Sequence, residues 1–246
     1  MLNSQPVKYP RMRRILTCLL AASFSWAVVS AQDKCPAVFA LDLSGIYGYN
    51  STIPGYAGAA AAASLSLSSF AAEAYMEVLG AGSFVSSLTA TPVFPLRTGE
   101  LFIDGTAHFR SLYSDRVSEF VSAASFGYRM DWFSVQAGLF SRTIIDMDRK
   151  IHDNANFVPE PFNLLYKVTF HIRPSSSVWN AGGGVSNYSD YEYERMWQPL
   201  FFIDGYYRIS ESLNLKAEVT VKPTGMFHLV ASFYGIRSSL GLSYAF

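Results

Sequence analysis

Apolar and polar side chains take turns with a period of two through much of the chain. Leu213, Leu215, Ala217, Val219 and Val221 alternate with Asn214, Lys216, Glu218, Thr220 and Lys222. Successive strand side chains point to opposite faces, so the pattern predicts a strand with one aliphatic face and one charged face. From 163 to 173, Leu164, Tyr166, Val168, Phe170 and Ile172 share one side, opposite Lys167, Thr169, His171 and Arg173. Around 101–112, Leu101, Ile103, Ala107 and Phe109 oppose Asp104, Thr106, His108 and Arg110. Further strands are expected at 117–130, 132–145, 177–187 and 198–209, and less regular ones at 38–49 and 84–94.

The stretch 55–82 supports two readings. It is rich in alanine, and 70–79 could form a short helix. As a pair of strands, Ala61, Ala63, Leu65 and Leu67 would face outward, and Glu73, Tyr75 and Glu77 inward. The paired reading gives twelve strands and the helical one ten; eight strands with long excursions is a third alternative.

Connection lengths also alternate. Tight turns at 95–99, 130–132, 174–176 and 210–212 are separated by longer polar connections at 146–161, 188–197 and about 223–235. Transmembrane barrels join strands by short periplasmic turns and longer outer loops. Trp132 and Trp179 begin strands after short turns, and Trp197 lies where a long connection ends. Tryptophan suits a membrane interface because its ring is apolar and its N–H is not.

At the carboxy terminus, Ile236, Leu240, Leu242, Tyr244 and Phe246 fall opposite Arg237, Ser239, Gly241 and Ser243. This aromatic-terminated segment resembles the last strand of bacterial outer-membrane β-barrel proteins. The resemblance implies that Leu242, Tyr244 and Phe246 belong to a signal read by the barrel-assembly machinery, that the partners include outer-membrane lipids, and that the protein resides in the bacterial outer membrane.

The amino terminus fits export. Lys8, Arg11, Arg13 and Arg14 precede the apolar stretch Ile15 to Val29, and Val29-Ser30-Ala31 offers a cleavage site. The expected organisation is a signal peptide at 1–31, a short periplasmic segment at 32–37 and a barrel at 38–246. Cleavage would leave Cys35 as the remaining cysteine, which excludes an intrachain disulfide and a cysteine metal cluster.

Half of the residues are hydrophobic, yet downstream of residue 31 no apolar run approaches the ~20 residues a spanning helix needs. Hydrocarbon forces every backbone polar group to be paired internally, which leaves the closed barrel. The fold class expected is therefore all-β, an antiparallel transmembrane barrel of twelve strands. Acidic and basic residues number 19 each, so a nucleic-acid partner has no electrostatic support.

Twelve strands imply a narrow lumen. The residues expected to face it are Asp42, Glu73, Glu77, Asp104, Arg110, Arg142, Lys167, His171 and Arg173. The acids come mainly from the first strands, whereas Arg142, Lys167, His171 and Arg173 form a basic strip able to attract a small anion. The expected function is a small diffusion channel for polar or anionic solutes. Its size is similar to that of the oligosaccharide- and nucleoside-specific porins of Gram-negative bacteria, although no motif assigns it to either. The alternative is a non-conducting surface barrel that binds through outer loops, with Tyr188, Asp190, Tyr191, Glu192 and Tyr193 as contact residues. Asp146, Asp148 and Asp153 lack the spacing of a calcium loop, His152 and His171 lack a nucleophile motif, and no enzyme, metal or cofactor is expected.

Overall fold

The computed structural model describes residues 37–50, 55–80, 83–112, 117–146, 156–172, 178–224 and 232–246. The expected signal peptide and nearly all of 32–37 lie outside the described residues, as do Arg173, Asp148, His152 and Asp153. Twelve strands follow one another: β1 (Val38–Asn50), β2 (Tyr56–Ser66), β3 (Phe70–Leu79), β4 (Phe84–Leu96), β5 (Gly99–Leu112), β6 (Val117–Arg129), β7 (Phe133–Asp146), β8 (Asn156–Ile172), β9 (Trp179–Ser186), β10 (Leu200–Arg208), β11 (Leu213–Thr224) and β12 (Ser232–Ala245). Each pairs antiparallel with its sequence neighbours, and β1 closes the ring against β12 over Ala40–Asn50 and Gly235–Ala245. Closure removes the two free edges that an open sheet would have.

The alanine-rich stretch is two strands. β2 and β3 pair from Gly58 with Leu79 to Ser66 with Ala71, so Glu73 and Glu77 join the lumen and the helical alternative falls away. Helix propensity loses here because ladder pairing and membrane packing outweigh a few tenths of a kcal/mol per residue.

The outer surface is apolar throughout the strands. Leu43, Ile203 and Leu240 are each at least 60% exposed, and Met76, Phe126, Leu164, Phe170 and Ile172 stand on the same outer face. A closed cylinder with this surface is an outer-membrane-type transmembrane barrel. Trp132 and Trp179 are exposed at the end carrying the short turns, and Trp197 is exposed at the opposite end, the positions of two interface girdles.

Two irregularities shape the lumen. On β8 the register against β7 slips between Phe140 and Arg142, where Pro161 and Phe162 lie and Phe162 takes a positive φ of 50°. The bulge turns both Glu160 and Asn163 inward, opposite Arg142 and Phe140. The second is that β9 and β10 are short, with 8 and 9 residues, beside the 17 of β8. β9 pairs with β8 only over Lys167–Ile172, so the loop-end half of β8 has no strand on that side.

Candidate functional site

The chain leaves the wall at the low point made by β9 and β10. Asn187 is completely buried. Its side-chain amide accepts from the Tyr166 N–H at 2.8 Å and donates to the carbonyls of Leu164 (2.7 Å) and Glu194 (2.8 Å). It thereby continues the β8 ladder where backbone no longer reaches, and frees the following residues to turn inward.

Residues 187–194 form a small hairpin inside the bore. Its own backbone bonds run from Ser189 N to Glu192 O (2.8 Å) and from Glu194 N to Asn187 O (2.7 Å), with a bridge between Tyr188 and Tyr193. Tyr188 and Tyr193 stack with ring centroids 5.6 Å apart. Tyr193 is 2% exposed and packs with Val121, Phe140 and Leu165, inward-facing residues of β6, β7 and β8. The hairpin is thus seated on an apolar knot in the loop-end half of the lumen.

Charged contacts surround that knot. Lys222 on β11 bonds Glu194 and Glu192. Arg110 on β5 lies 3.2 Å from Glu119 and 3.6 Å from Glu192. Arg237 on β12 donates to Glu77 at 2.6 Å and lies over the Tyr191 ring at 3.9 Å. Arg142 pairs with Glu160 and also donates to the Tyr193 carbonyl at 3.2 Å. Burial pushes the Glu192 carboxyl upward, but Lys222 and Arg110 outweigh it and hold the group below the usual carboxylate range. Burial and the adjacent Glu192 charge keep Glu194 above that range.

Toward the short-turn end the lumen opens into a cavity of about 740 Å³. Small polar side chains line much of it, among them Ser64, Ser87, Thr89, Thr106, Ser125 and Ser134. Its carboxylates are Asp42, Glu73, Asp104, Asp190, Asp204 and Glu218, set against Arg129, Lys167, Lys216 and His171. Asp42 is paired with Lys216. Asp104 accepts from Thr91 at 2.6 Å and from Gln136, whose own carbonyl accepts from the Tyr188 hydroxyl at 2.5 Å. Lys167 lies over the rings of Phe202 (5.0 Å) and Tyr188 (5.7 Å). Arg129 pairs with Glu100 at 2.7 Å.

All described residues of the expected lumen set face inward, but they do not form one strip. Arg142 and Arg110 are committed to glutamates in the loop-end half, whereas Lys167 and His171 line the cavity. Nor do Tyr188, Tyr191, Glu192 and Tyr193 project from the outer surface. They fold into the bore, and only Asp190, at the hairpin tip, is exposed, toward the cavity. Two charges inside a low-dielectric cylinder find partners more readily when a polar segment folds in than when the wall must pair alone. Sequence reasoning assigned no role here to Lys222, Arg237, Glu160 or Asn187. A signal was present in Val121, Phe140 and Leu165, apolar residues on otherwise polar faces of three successive strands.

No family model and no curated protein matches the chain in sequence. Among solved structures it is similar to a KdgM porin in complex with disordered oligogalacturonate, at 11% identity and a TM-score of 0.52, over 84% of this chain and 99% of that one. It is also similar to the NanC porin, at 9% identity and a TM-score of 0.51, over 83% and 98% of the two chains. A second structure of the KdgM porin aligns at 11% identity with a TM-score of 0.50, over 83% and 99%. These likenesses are of fold.

Proposed function

We propose that the protein is a channel of the bacterial outer membrane for small polar solutes, with the lumen as the path. The observation that carries this reading is the polar cavity of about 740 Å³ enclosed by a closed, externally apolar barrel. Structural similarity to porins supports it.

The charge of the cavity argues against a preference for anions while the hairpin is docked. Six carboxylates face three permanent cations, and two of those cations are already paired, Lys216 with Asp42 and Arg129 with Glu100. A narrow bore focuses such an excess onto the solute, so small cations and neutral polar molecules are favoured there. The basic strip suggested by the sequence is divided because Glu160, brought inward by the β8 bulge, takes up Arg142.

Conductance of the refolded protein in a planar bilayer under a KCl gradient tests this reading. The expected result is a small conductance with a cation-leaning reversal potential, moved toward anions by Glu73→Gln together with Glu218→Gln. A folded protein that never conducts would favour the second reading, a surface barrel without transport, which draws its support from the hairpin filling the loop-end half of the bore.

A further inference from the structure

We propose that the hairpin 187–194 is a displaceable plug, held by Glu192 acting as a counter-ion of the wall, and that its departure both widens the bore and withdraws negative charge from its loop-end half. The inference rests on the channel reading.

The hairpin is built to move as a unit. Beyond Asn187, whose N–H donates to the Tyr166 carbonyl of β8 at 3.2 Å, its backbone bonds close upon itself, while it meets the wall through side chains: Lys222 to Glu192 and Glu194, Arg110 to Glu192, Arg237 to the Tyr191 ring, Tyr188 to Gln136, Tyr193 packed on Val121, Phe140 and Leu165, and Arg142 to one carbonyl. The clamp at its root, Asn187, bonds to the hairpin foot and to β8, so the fold of the wall below does not depend on the tip. A segment attached beyond its foot by side chains opens without breaking a ladder.

Its charge has a consequence when it leaves. The tip 188–194 carries three carboxylates, Asp190, Glu192 and Glu194, and no cation, and Glu192 lies against Lys222 and Arg110 of the wall. Docked, the tip adds negative charge to the bore. Undocked, those carboxylates are withdrawn, and the charge that lines the bore shifts toward the positive.

Two variants test this beside the unmodified protein: E192Q, and a chain in which Tyr188–Tyr193 is replaced by two glycines, feasible because Asn187 and Glu194 are already hydrogen-bonded. Single-channel current and reversal potential are read in a KCl gradient. The replacement is expected to give a steady, several-fold larger conductance and a reversal potential displaced toward anions; E192Q should flicker between the two levels. Equal conductance in the unmodified and plug-less proteins would overturn the plug while leaving the channel reading intact. A larger conductance without the anionic displacement would overturn the counter-ion role. If every form migrates as a folded, heat-modifiable barrel and none conducts, the channel reading fails and the plug with it. Should the replacement not fold, an unchanged open fraction in E192Q overturns the proposal.

Discussion

The Arg237 guanidinium lies over the Tyr191 ring with its central carbon 3.9 Å from the ring centroid, and the same group donates to the Glu77 carboxylate at 2.6 Å and to the Tyr75 hydroxyl at 3.1 Å. A planar fork can stack and bond in its own plane at once, which an ammonium cannot. Glu77 is only 2% exposed. Removing its partner strands a buried charge at a cost of about 3–5 kcal/mol. Arg237→Met should therefore lower the urea midpoint of the detergent-folded barrel markedly, and Arg237→Lys should recover part of the stability without restoring the stack. An unchanged midpoint in Arg237→Met would show that Glu77 finds another partner.

Asn187 supplies three hydrogen bonds from a side chain with no solvent exposure. Asn187→Ala leaves the Tyr166 N–H and the Leu164 carbonyl unpaired, at about 1–3 kcal/mol for each buried group. The expected outcome is faster hydrogen exchange confined to the loop-end half of β8, measured by mass spectrometry.

Glu192 and Glu194 respond to pH with opposite sign. Glu194 is raised when docked, so acidification through the upper carboxylate range protonates it in place and favours docking. Glu192 is lowered when docked, so its contribution is present above the ordinary carboxylate value and lost as pH falls below about 4. The pair is faced by Lys222, Arg110, His108 and Tyr56, with Glu119 behind Arg110. Open probability should stay flat or fall between pH 7 and about 5, then rise below about 4. A steady rise beginning near neutrality would contradict the assigned directions.

Much of the barrel was legible in the sequence because a bilayer imposes a strict rule on strand faces. Leu213 to Lys222 shows it without exception, and the short turns at 130–132 and 210–212 fix the direction of the neighbouring strands. The candidate site was less legible. Charges such as Arg142 and Glu77 could be placed on the inner face by parity, but their partners Glu160 and Arg237 depend on a bulge and on ring closure, which bring together residues far apart in the chain. The tyrosine- and acid-rich run 188–193 has the composition of a solvated loop. Its inward course follows from the shortness of β9 and β10, which strand periodicity does not encode.

Phe246 packs against Tyr244 and Phe39, with ring centroids 4.8 and 5.6 Å away, and its N–H donates to the Phe39 carbonyl at 2.8 Å. Its ring is largely exposed on the outer face, so it contributes little to packing and remains accessible to an assembly factor. Phe246→Ala should refold in detergent as well as the unmodified protein, yet yield less outer-membrane protein in cells. Normal cellular yield would remove the assembly role.

The account depends most on which side chains meet water inside the cylinder and which meet lipid outside it. Single cysteines placed at Lys216, Ala217, Glu218, Val219 and Thr220 in a Cys18→Ser, Cys35→Ser background, reconstituted in liposomes, measure this directly. Positions 216, 218 and 220 should react with a small charged thiol reagent, and 217 and 219 should resist it while a label there is quenched by brominated lipid. Uniform reactivity along the strand, or the opposite alternation, would contradict a lipid-embedded barrel with a hydrated lumen.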